Sequence, residues 1–189
     1  HPEFKLDHRL MLDKINFADG TVNCYGEVYP IKDTNLPTID PADPYKLSPE
    51  EEEVMVALEA SITNSKKLQE HINFLYTHGA LFTTYNGNLL FHGCIPFTED
   101  GDFMEVTIAG KTNHGAGLMR QLDQELREVY FNPRCDLDKA DAANLMWYLW
   151  LGPDSPLFGK DKMTTFERLF IADKSTHKEH TVPYYKLIK

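Results

Sequence analysis

The feature that most constrains this chain is a tight turn followed by a short apolar run that ends on a histidine. Asn86 and Gly87 both tolerate positive φ, and together they indicate a two-residue hairpin turn. Residues 88–91 follow as Asn-Leu-Leu-Phe, which predicts a buried strand. His92 ends this strand and Gly93 comes next. Because glycine has no Cβ, the histidine can point into a site that a ligand approaches closely.

The role of His92 stays open on these residues alone. A histidine at the end of a strand is more often a hydrogen-bonded structural residue than a metal ligand. Its neutral imidazole would suit zinc, manganese or iron if other ligands came from elsewhere. Cys94 lies nearby in the sequence, but proximity alone does not make a Cys/His nucleophile pair.

Composition and charge narrow the class of protein. A chain of 189 residues with 42% hydrophobic and 25% charged residues is typical of one globular domain with a core. The formal charge of -10 argues against nucleic acid and anionic membranes as partners. No apolar run approaches the roughly 18 residues that a membrane helix needs. The three cysteines are widely spaced, which favours reduced thiols in the cytoplasm. We therefore expect a single cytoplasmic domain over residues 1–189.

Helix and strand signals alternate irregularly, which predicts a mixed α/β (α+β) fold. Ser48 and Pro49 form a strong helix start, and the apolar periodicity continues to about residue 77, before Gly79. A capping box at Thr164 and Glu167 opens a short helix. The remaining predicted elements are helices at residues 4–15, 114–130 and 136–150, a hairpin at residues 15–25, and strands at residues 27–31 and 103–108.

A second candidate site precedes the short helix at Thr164. Lys160 and Lys162 lie close to Thr164 and Thr165, and cations beside a helix N-terminus can bind phosphate. Arg168 follows one turn later. A solvated loop with a helix cap is the alternative, and these residues alone favour it somewhat. The glycine spacing is not that of a P-loop.

Two further features have competing interpretations. His177 and His180 are three residues apart and can face one metal on a helix, but their polar surroundings favour a surface segment. Residues 145–151 are strongly apolar and indicate a core or interface face rather than a cofactor site. His114 fits a helix start.

Residues 85–96 read YNGNLLFHGCIP, and residues 146–168 contain MWYLW, GP and SPLFGKDKMTTFER. These stretches resemble class III fructose-1,6-bisphosphatases, the long bacterial type. Residues 8–14, 38–41 and 43–45 are similar as well, so the resemblance covers nearly the whole chain. It implies a cytoplasmic phosphatase of gluconeogenesis that hydrolyses the 1-phosphate of fructose 1,6-bisphosphate to give fructose 6-phosphate.

The resemblance extends to calcineurin-like metallophosphoesterases, which stack helices on two sheets and hold two metal ions. His92 and Gly93 correspond to the superfamily's His-Gly after a strand, so the resemblance implies that His92 is a metal ligand, with Mn²⁺ as the expected divalent metal and Mg²⁺ as the alternative. The other ligand motifs are absent, and no catalytic residue is identified. The expected structure is a partial metallophosphoesterase-like sandwich with helical additions, an internal fragment that starts on His1. Lys160, Lys162 and Arg168 are hypothetical substrate-phosphate contacts, chosen from their charge and context alone.

One histidine cannot hold the two cations that generate hydroxide and neutralise phosphoryl oxygens in such enzymes. We therefore expect residues 1–189 to be inactive without the remaining parts of the longer chain. Two alternatives stay open: a non-catalytic interaction module that docks through residues 145–151, and a different metallophosphoesterase. Self-association also stays open.

Overall fold

The computed structural model describes Phe4, residues 6–108, 110–132 and 139–178, Tyr184 and Leu187. Contacts group the chain into two compact units. The first unit contains His1–Arg9, Gly79–Met163 and Glu179–Lys189, and the second contains Leu10–His78 and Thr164–Lys178. The expectation that residues 1–189 form a single domain stays a prediction.

The described residues form a mixed α/β fold with small antiparallel sheets, as the sequence predicts. The strands are β1 (Ile15–Asn16), β2 (Thr21–Cys24), β3 (Glu27–Pro30), β4 (Phe82–Tyr85), β5 (Asn88–Phe91), β6 (Val106–Ile108) and β7 (Lys111–Asn113). The helices are α1 (Pro49–Thr63), α2 (Lys66–His78), α3 (Gly115–Phe131), α4 (Lys139–Leu151) and α5 (Thr165–Phe170). Within the described residues, no helix is both long and apolar enough to cross a membrane.

The second unit is built on the sheet β1-β2-β3, in which neighbouring strands are antiparallel. Val22 and Cys24 on β2 are buried and form a core with Ile171, which follows α5. Ile31 pairs with Ile171 through an isolated antiparallel bridge. The predicted hairpin and third strand are confirmed. The predicted helix at residues 4–15 is wrong, because short 3-10 turns at Leu6–Arg9 and Leu12–Lys14 stand in its place.

The long helix predicted after Ser48 is divided into α1 and α2. Its start is confirmed: Ser48 accepts from the Glu51 N–H at 3.3 Å, and the Glu51 carboxylate accepts from the Ser48 N–H at 2.8 Å. The break lies at Asn64 and Ser65. The Ser65 hydroxyl accepts from the Leu68 N–H at 3.3 Å, so a polar side chain restarts the helix where the periodicity predicted continuation.

The first unit has its core under α3, which confirms the helix predicted near residues 114–130. Leu118, Leu122 and Leu126 recur at helical spacing and are buried, together with Ile108 at the end of β6. Buried Gln121 donates to the Ile108 carbonyl at 2.8 Å and accepts from the Asn113 side chain at 2.6 Å. These two hydrogen bonds join the β6-β7 hairpin to the helix.

The β4-β5 hairpin is confirmed as a structure but not as a buried one. Asn86 and Gly87 have φ of 50° and 76°, the left-handed values that the turn requires. Leu89 and Leu90 are 47% and 52% exposed, so the prediction of a buried strand is wrong. The physical reason is that β5 pairs only with β4 among the described residues, and a two-stranded ribbon cannot cover its own faces.

The short helix after Thr164 is also confirmed with a correction. Thr164 is the N-cap of α5, but its side chain makes no capping hydrogen bond, so the predicted capping box is absent. The helix ends at Phe170, where the Ile171 N–H donates to the Glu167 carbonyl at 2.9 Å.

Replacement of the α1 cap should shorten this helix. We expect Ser48→Ala to destabilise the first turn by about 1 kcal/mol, because the Glu51 N–H loses its acceptor. Hydrogen exchange of the α1 amides measures the effect. Ser61→Ala on the same helix is the control and should leave exchange unchanged or slightly slower, since alanine favours helix. Equal exchange in both variants would contradict the cap assignment.

Candidate functional site

His92 lies immediately after β5, and the backbone that follows it is fixed by a loop from elsewhere in the first unit. The imidazole is exposed. The N–H groups of Gly93 and Cys94 both donate to the Pro156 carbonyl, at 3.1 and 2.9 Å. Two main-chain hydrogen bonds to one acceptor hold the residues after His92 against the loop that precedes Lys160. The two stretches that carry the family resemblance therefore contact each other directly.

A glycine is required at position 93 because of this close contact, and not because the backbone there has a positive φ. A Cβ at Gly93 would lie 2.4 Å from the Pro156 carbonyl oxygen and 2.6 Å from that of Leu157. Both neighbours are backbone atoms, which cannot rotate away. The sequence predicted that this glycine leaves room for a ligand. In the structure, the protein's own backbone takes that room.

Cys94 is fully buried and unsuited to nucleophilic chemistry. Its Sγ donates to the Ser155 carbonyl at 3.6 Å. Burial, with a smaller contribution from the Asp154 carboxylate, raises the pKa of the Cys94 thiol to about 12. Because the thiolate is the nucleophile, a thiol that stays protonated at neutral pH is a structural residue.

The loop that carries Lys160 and Lys162 is fixed from inside by Ser155 and Arg9. Buried Ser155 donates its hydroxyl hydrogen to the Leu149 carbonyl at 2.5 Å, and its oxygen accepts from the N–H groups of residues 157 and 158 at 3.3 and 3.4 Å. Arg9 donates to the Leu151 carbonyl at 2.9 Å through Nε and to the Asp161 carbonyl at 3.1 Å. Lys160 and Lys162 are half-buried on this ordered loop.

Arg9 supports this loop through long-range contacts that the sequence did not reveal. Its guanidinium also lies 5.3 Å from the centre of the Phe158 ring, a cation–π contact. Its partners follow it by 142 to 152 residues, so no local spacing could identify them. Only the similarity of residues 8–14 to the family offered a signal.

Arg168 lies in the second compact unit, whereas His92, Lys160 and Lys162 lie in the first. Its guanidinium donates to the His177 carbonyl at 3.4 Å, and its own carbonyl accepts from Lys32 Nζ at 3.1 Å. The three predicted phosphate contacts are thus divided between two units, and their joint role stays a prediction.

His177 and His114, two other histidines named from the sequence, have structural surroundings. His177 Nε2 lies 2.9 Å from the Ile171 carbonyl oxygen, and His180 lies outside the described residues. His114 occupies the N-cap position of α3 without a capping hydrogen bond, and its ring stacks on Phe103 at 5.8 Å.

The described residues do not complete a metal site around His92. Over that part of the chain, no group of three or more His, Cys, Asp and Glu side chains could hold a metal ion. An exposed histidine alone supplies one ligand of the four to six that Zn²⁺ or Mg²⁺-like cations take. Any metal at His92 would need ligands from outside the described residues, and the role of His92 as a metal ligand stays a prediction.

The apolar stretch at residues 145–151 has two faces. Leu145, Tyr148 and Leu149 are buried, and the Tyr148 ring stacks on Phe4 at 5.1 Å. Burial raises the pKa of the Tyr148 phenol. Trp147 and Trp150 are exposed. The stretch is therefore core on one side and open surface on the other.

Comparison with known proteins gives a consistent result. A family model described as Firmicute fructose-1,6-bisphosphatase matches residues 1–189. The "Fructose-1,6-bisphosphatase class 3" of Clostridium tetani is 56% identical over 185 residues, 98% of this chain and 28% of that protein. The proteins of the same name from Clostridium botulinum (strain Kyoto / Type A2) and Clostridium novyi are 52% and 50% identical, with the same coverage. No solved structure matches.

The chain thus spans about 28% of the length of the curated relatives that it matches. The names of the family and of these relatives favour the phosphatase interpretation over a non-catalytic module or a different metallophosphoesterase.

Any side chain at position 93 should disrupt the contact with Pro156. We expect Gly93→Ala to lower the free energy of unfolding by about 2 kcal/mol or more, since two hydrogen bonds of about 1 kcal/mol each are strained or lost. Urea unfolding measures it. Gly87→Asn is the control, because that turn is open and asparagine tolerates its φ; it should change stability by less than about 0.5 kcal/mol. An unchanged midpoint for Gly93→Ala would contradict the packing described.

Proposed function

We propose, from the premise that this chain belongs to the Firmicute fructose-1,6-bisphosphatase family, that it is part of an enzyme that hydrolyses fructose 1,6-bisphosphate at the 1-phosphate. The observation that carries the proposal is the family match over all 189 residues, with 56% identity to a class 3 enzyme. The product would be fructose 6-phosphate, and the metabolic setting would be gluconeogenesis in the cytoplasm.

His92 is proposed as one ligand of a divalent metal, Mn²⁺ being the candidate. Its support is the exposed imidazole, together with the two hydrogen bonds that fix the backbone just after it. A preordered ligand loses less conformational entropy when it binds a metal. The remaining ligands would come from the longer chain, and the complete assembly would be the metallophosphoesterase-like sandwich. Residues 1–189 alone would then be inactive.

Lys160 and Lys162 are proposed as contacts to a substrate phosphate, with Arg168 as a third candidate. Two observations support this proposal: the positive charge of the lysines, and the fixed position of the loop that carries them, which Ser155 and Arg9 hold by hydrogen bonds. The same loop contacts the residues after His92. Lysine binds phosphate as a point charge. Helix α5 has only six residues, so the proposal rests on the cations and not on a helix N-terminus.

The partners proposed for this chain are the sugar bisphosphate and the remaining parts of the longer polypeptide. The net charge of -10 disfavours nucleic acid and anionic membranes. Self-association of the full-length protein is an open part of the proposal.

His92→Ala in the full-length protein tests the metal proposal. We expect the bound metal per chain and kcat to fall, with kcat at least about a hundredfold lower, since even indirect supports of a metal site are worth about 10- to 100-fold. Elemental analysis and turnover measure the two effects. His71→Ala, which removes another exposed histidine, should change neither. Normal metal content and turnover in His92→Ala would refute the role of His92.

Lys160→Met and Lys162→Met test the phosphate proposal. We expect each to raise KM for fructose 1,6-bisphosphate roughly tenfold, because a hydrogen bond to a charged group is worth about 1.5–3 kcal/mol. Metal content should stay normal, which separates this result from that of His92→Ala. Lys174→Met, at an exposed lysine of the second unit, is the control. An unchanged KM in both loop variants would show that neither Lys160 nor Lys162 contacts the substrate phosphate.

A further inference from the structure

Arg9 connects the end of α4 to the loop that carries Lys160 and Lys162, and all of these residues lie in the first unit. Its Nε and Nη2 both donate to the Leu151 carbonyl, at 2.9 and 2.5 Å, and Nη2 also donates to the Asp161 carbonyl at 3.1 Å. Leu151 is the last residue of α4, and the last carbonyls of a helix have no partner within it. Arg9 therefore supplies donors both to the end of a helix and to one point on the loop.

The contact of Arg9 with Asp161 lies beyond the part of the loop that Ser155 holds. Ser155 accepts main-chain hydrogen bonds from residues 157–159, in the first half of the loop. The Asp161 carbonyl lies further along, between the two lysines in the sequence. The guanidinium of Arg9 also lies 5.3 Å from the centre of the Phe158 ring. Arg9 thus fixes the main chain that carries the two candidate phosphate contacts.

The contacts of Arg9 use properties that a lysine lacks. A guanidinium is planar, carries five N–H donors in a fixed arrangement and stacks on aromatic rings, whereas an ammonium is a compact point charge on a flexible stem. A lysine at position 9 would keep the positive charge but could not bind both carbonyls and the ring with the same geometry. Substitution by lysine therefore separates the geometry of Arg9 from its charge.

We propose that Arg9 is a positioning residue for substrate binding, which holds the main chain between Lys160 and Lys162 so that both ammonium groups can bind a substrate phosphate. This role rests on the phosphate contacts proposed above for the two lysines. A loop that is ordered before the substrate arrives loses less conformational entropy on binding. Because such ordering strengthens binding of substrate and transition state alike, its loss should raise KM and leave kcat unchanged.

Arg9→Lys in the full-length protein tests the proposal, with Arg127→Lys as the matched control. Arg127 lies in the same unit, donates to the distant Gly79 carbonyl and pairs with Asp123 at 2.9 Å. We expect Arg9→Lys to raise KM for fructose 1,6-bisphosphate about fivefold, because the net contribution of one hydrogen bond converts to a factor of this size. Arg127→Lys should leave KM unchanged, even where it lowers Tm as much as Arg9→Lys does. An unchanged KM in Arg9→Lys would show that Arg9 only stabilises the fold and would overturn the proposal.

A combined variant shows whether Arg9 acts through the two lysines. Arg9→Lys is added to a protein that already carries Lys160→Met and Lys162→Met, and KM is compared before and after the addition. Residues that act together are not additive, so the added substitution should not raise KM further. A further rise equal to that caused by Arg9→Lys alone would mean that Arg9 acts independently of the lysines, and it would overturn the proposal.

The same series of variants distinguishes a failure of the role of Arg9 from a failure of the phosphate contacts. A raised KM in Lys160→Met and Lys162→Met, with an unchanged KM in Arg9→Lys, overturns only the role of Arg9. An unchanged KM in both lysine variants refutes the phosphate contacts, and the role of Arg9 is refuted with them.

Phe158→Leu provides a second test in case Arg9→Lys fails to fold. This substitution removes the ring that the guanidinium contacts and keeps an apolar side chain at position 158. We expect KM to rise about two- to fivefold with kcat unchanged, which is the factor for a cation–π contact near the surface. A wild-type KM in Phe158→Leu would then overturn the proposal.

Discussion

The hydrogen bonds from Gly93 and Cys94 to the Pro156 carbonyl are the constraint on which the candidate site depends. They require a residue without a Cβ, because two backbone carbonyls occupy the space beside Gly93. They also bury Cys94, whose burial holds the thiol in its neutral form. These contacts position His92, because its strand ends against a loop that Ser155 and Arg9 hold in place by hydrogen bonds.

Local chemistry predicted the elements whose ends depend on one or two residues. The left-handed turn at Asn86 and Gly87, the cap at Ser48 and the spacing of leucines on α3 all follow from the sequence. The break at Ser65 did not, because apolar periodicity continues across it while a single hydroxyl restarts the helix. Periodicity alone could not separate one long helix from two.

Burial and long-range contacts could not be predicted from the sequence. Leu89 and Leu90 have strand-like apolar character, yet their exposure depends on whether a second layer covers the ribbon, which no local pattern encodes. Position after a strand, together with resemblance to a family, supplied His92 as a candidate, and positive charge before a predicted helix supplied Lys160 and Lys162. Neither kind of reasoning identified the long-range contacts of Arg9, nor did it predict that Arg168 belongs to a different compact unit.

The hydrogen bond from Arg9 to the Asp161 carbonyl also has a consequence for synthesis on the ribosome. Its two residues are separated by 152 positions, and the entire stretch Leu10–His78 of the other unit is made between them. At about 5–20 residues per second, roughly 8 to 30 seconds pass between the appearance of the arginine and that of its partner. The β1-β2-β3 sheet, whose contacts are local, can form during this interval. The segment that carries Arg9 therefore stays without this partner until Asp161 is made, and the second unit is also incomplete at that stage, because its core residue Ile171 is made later still.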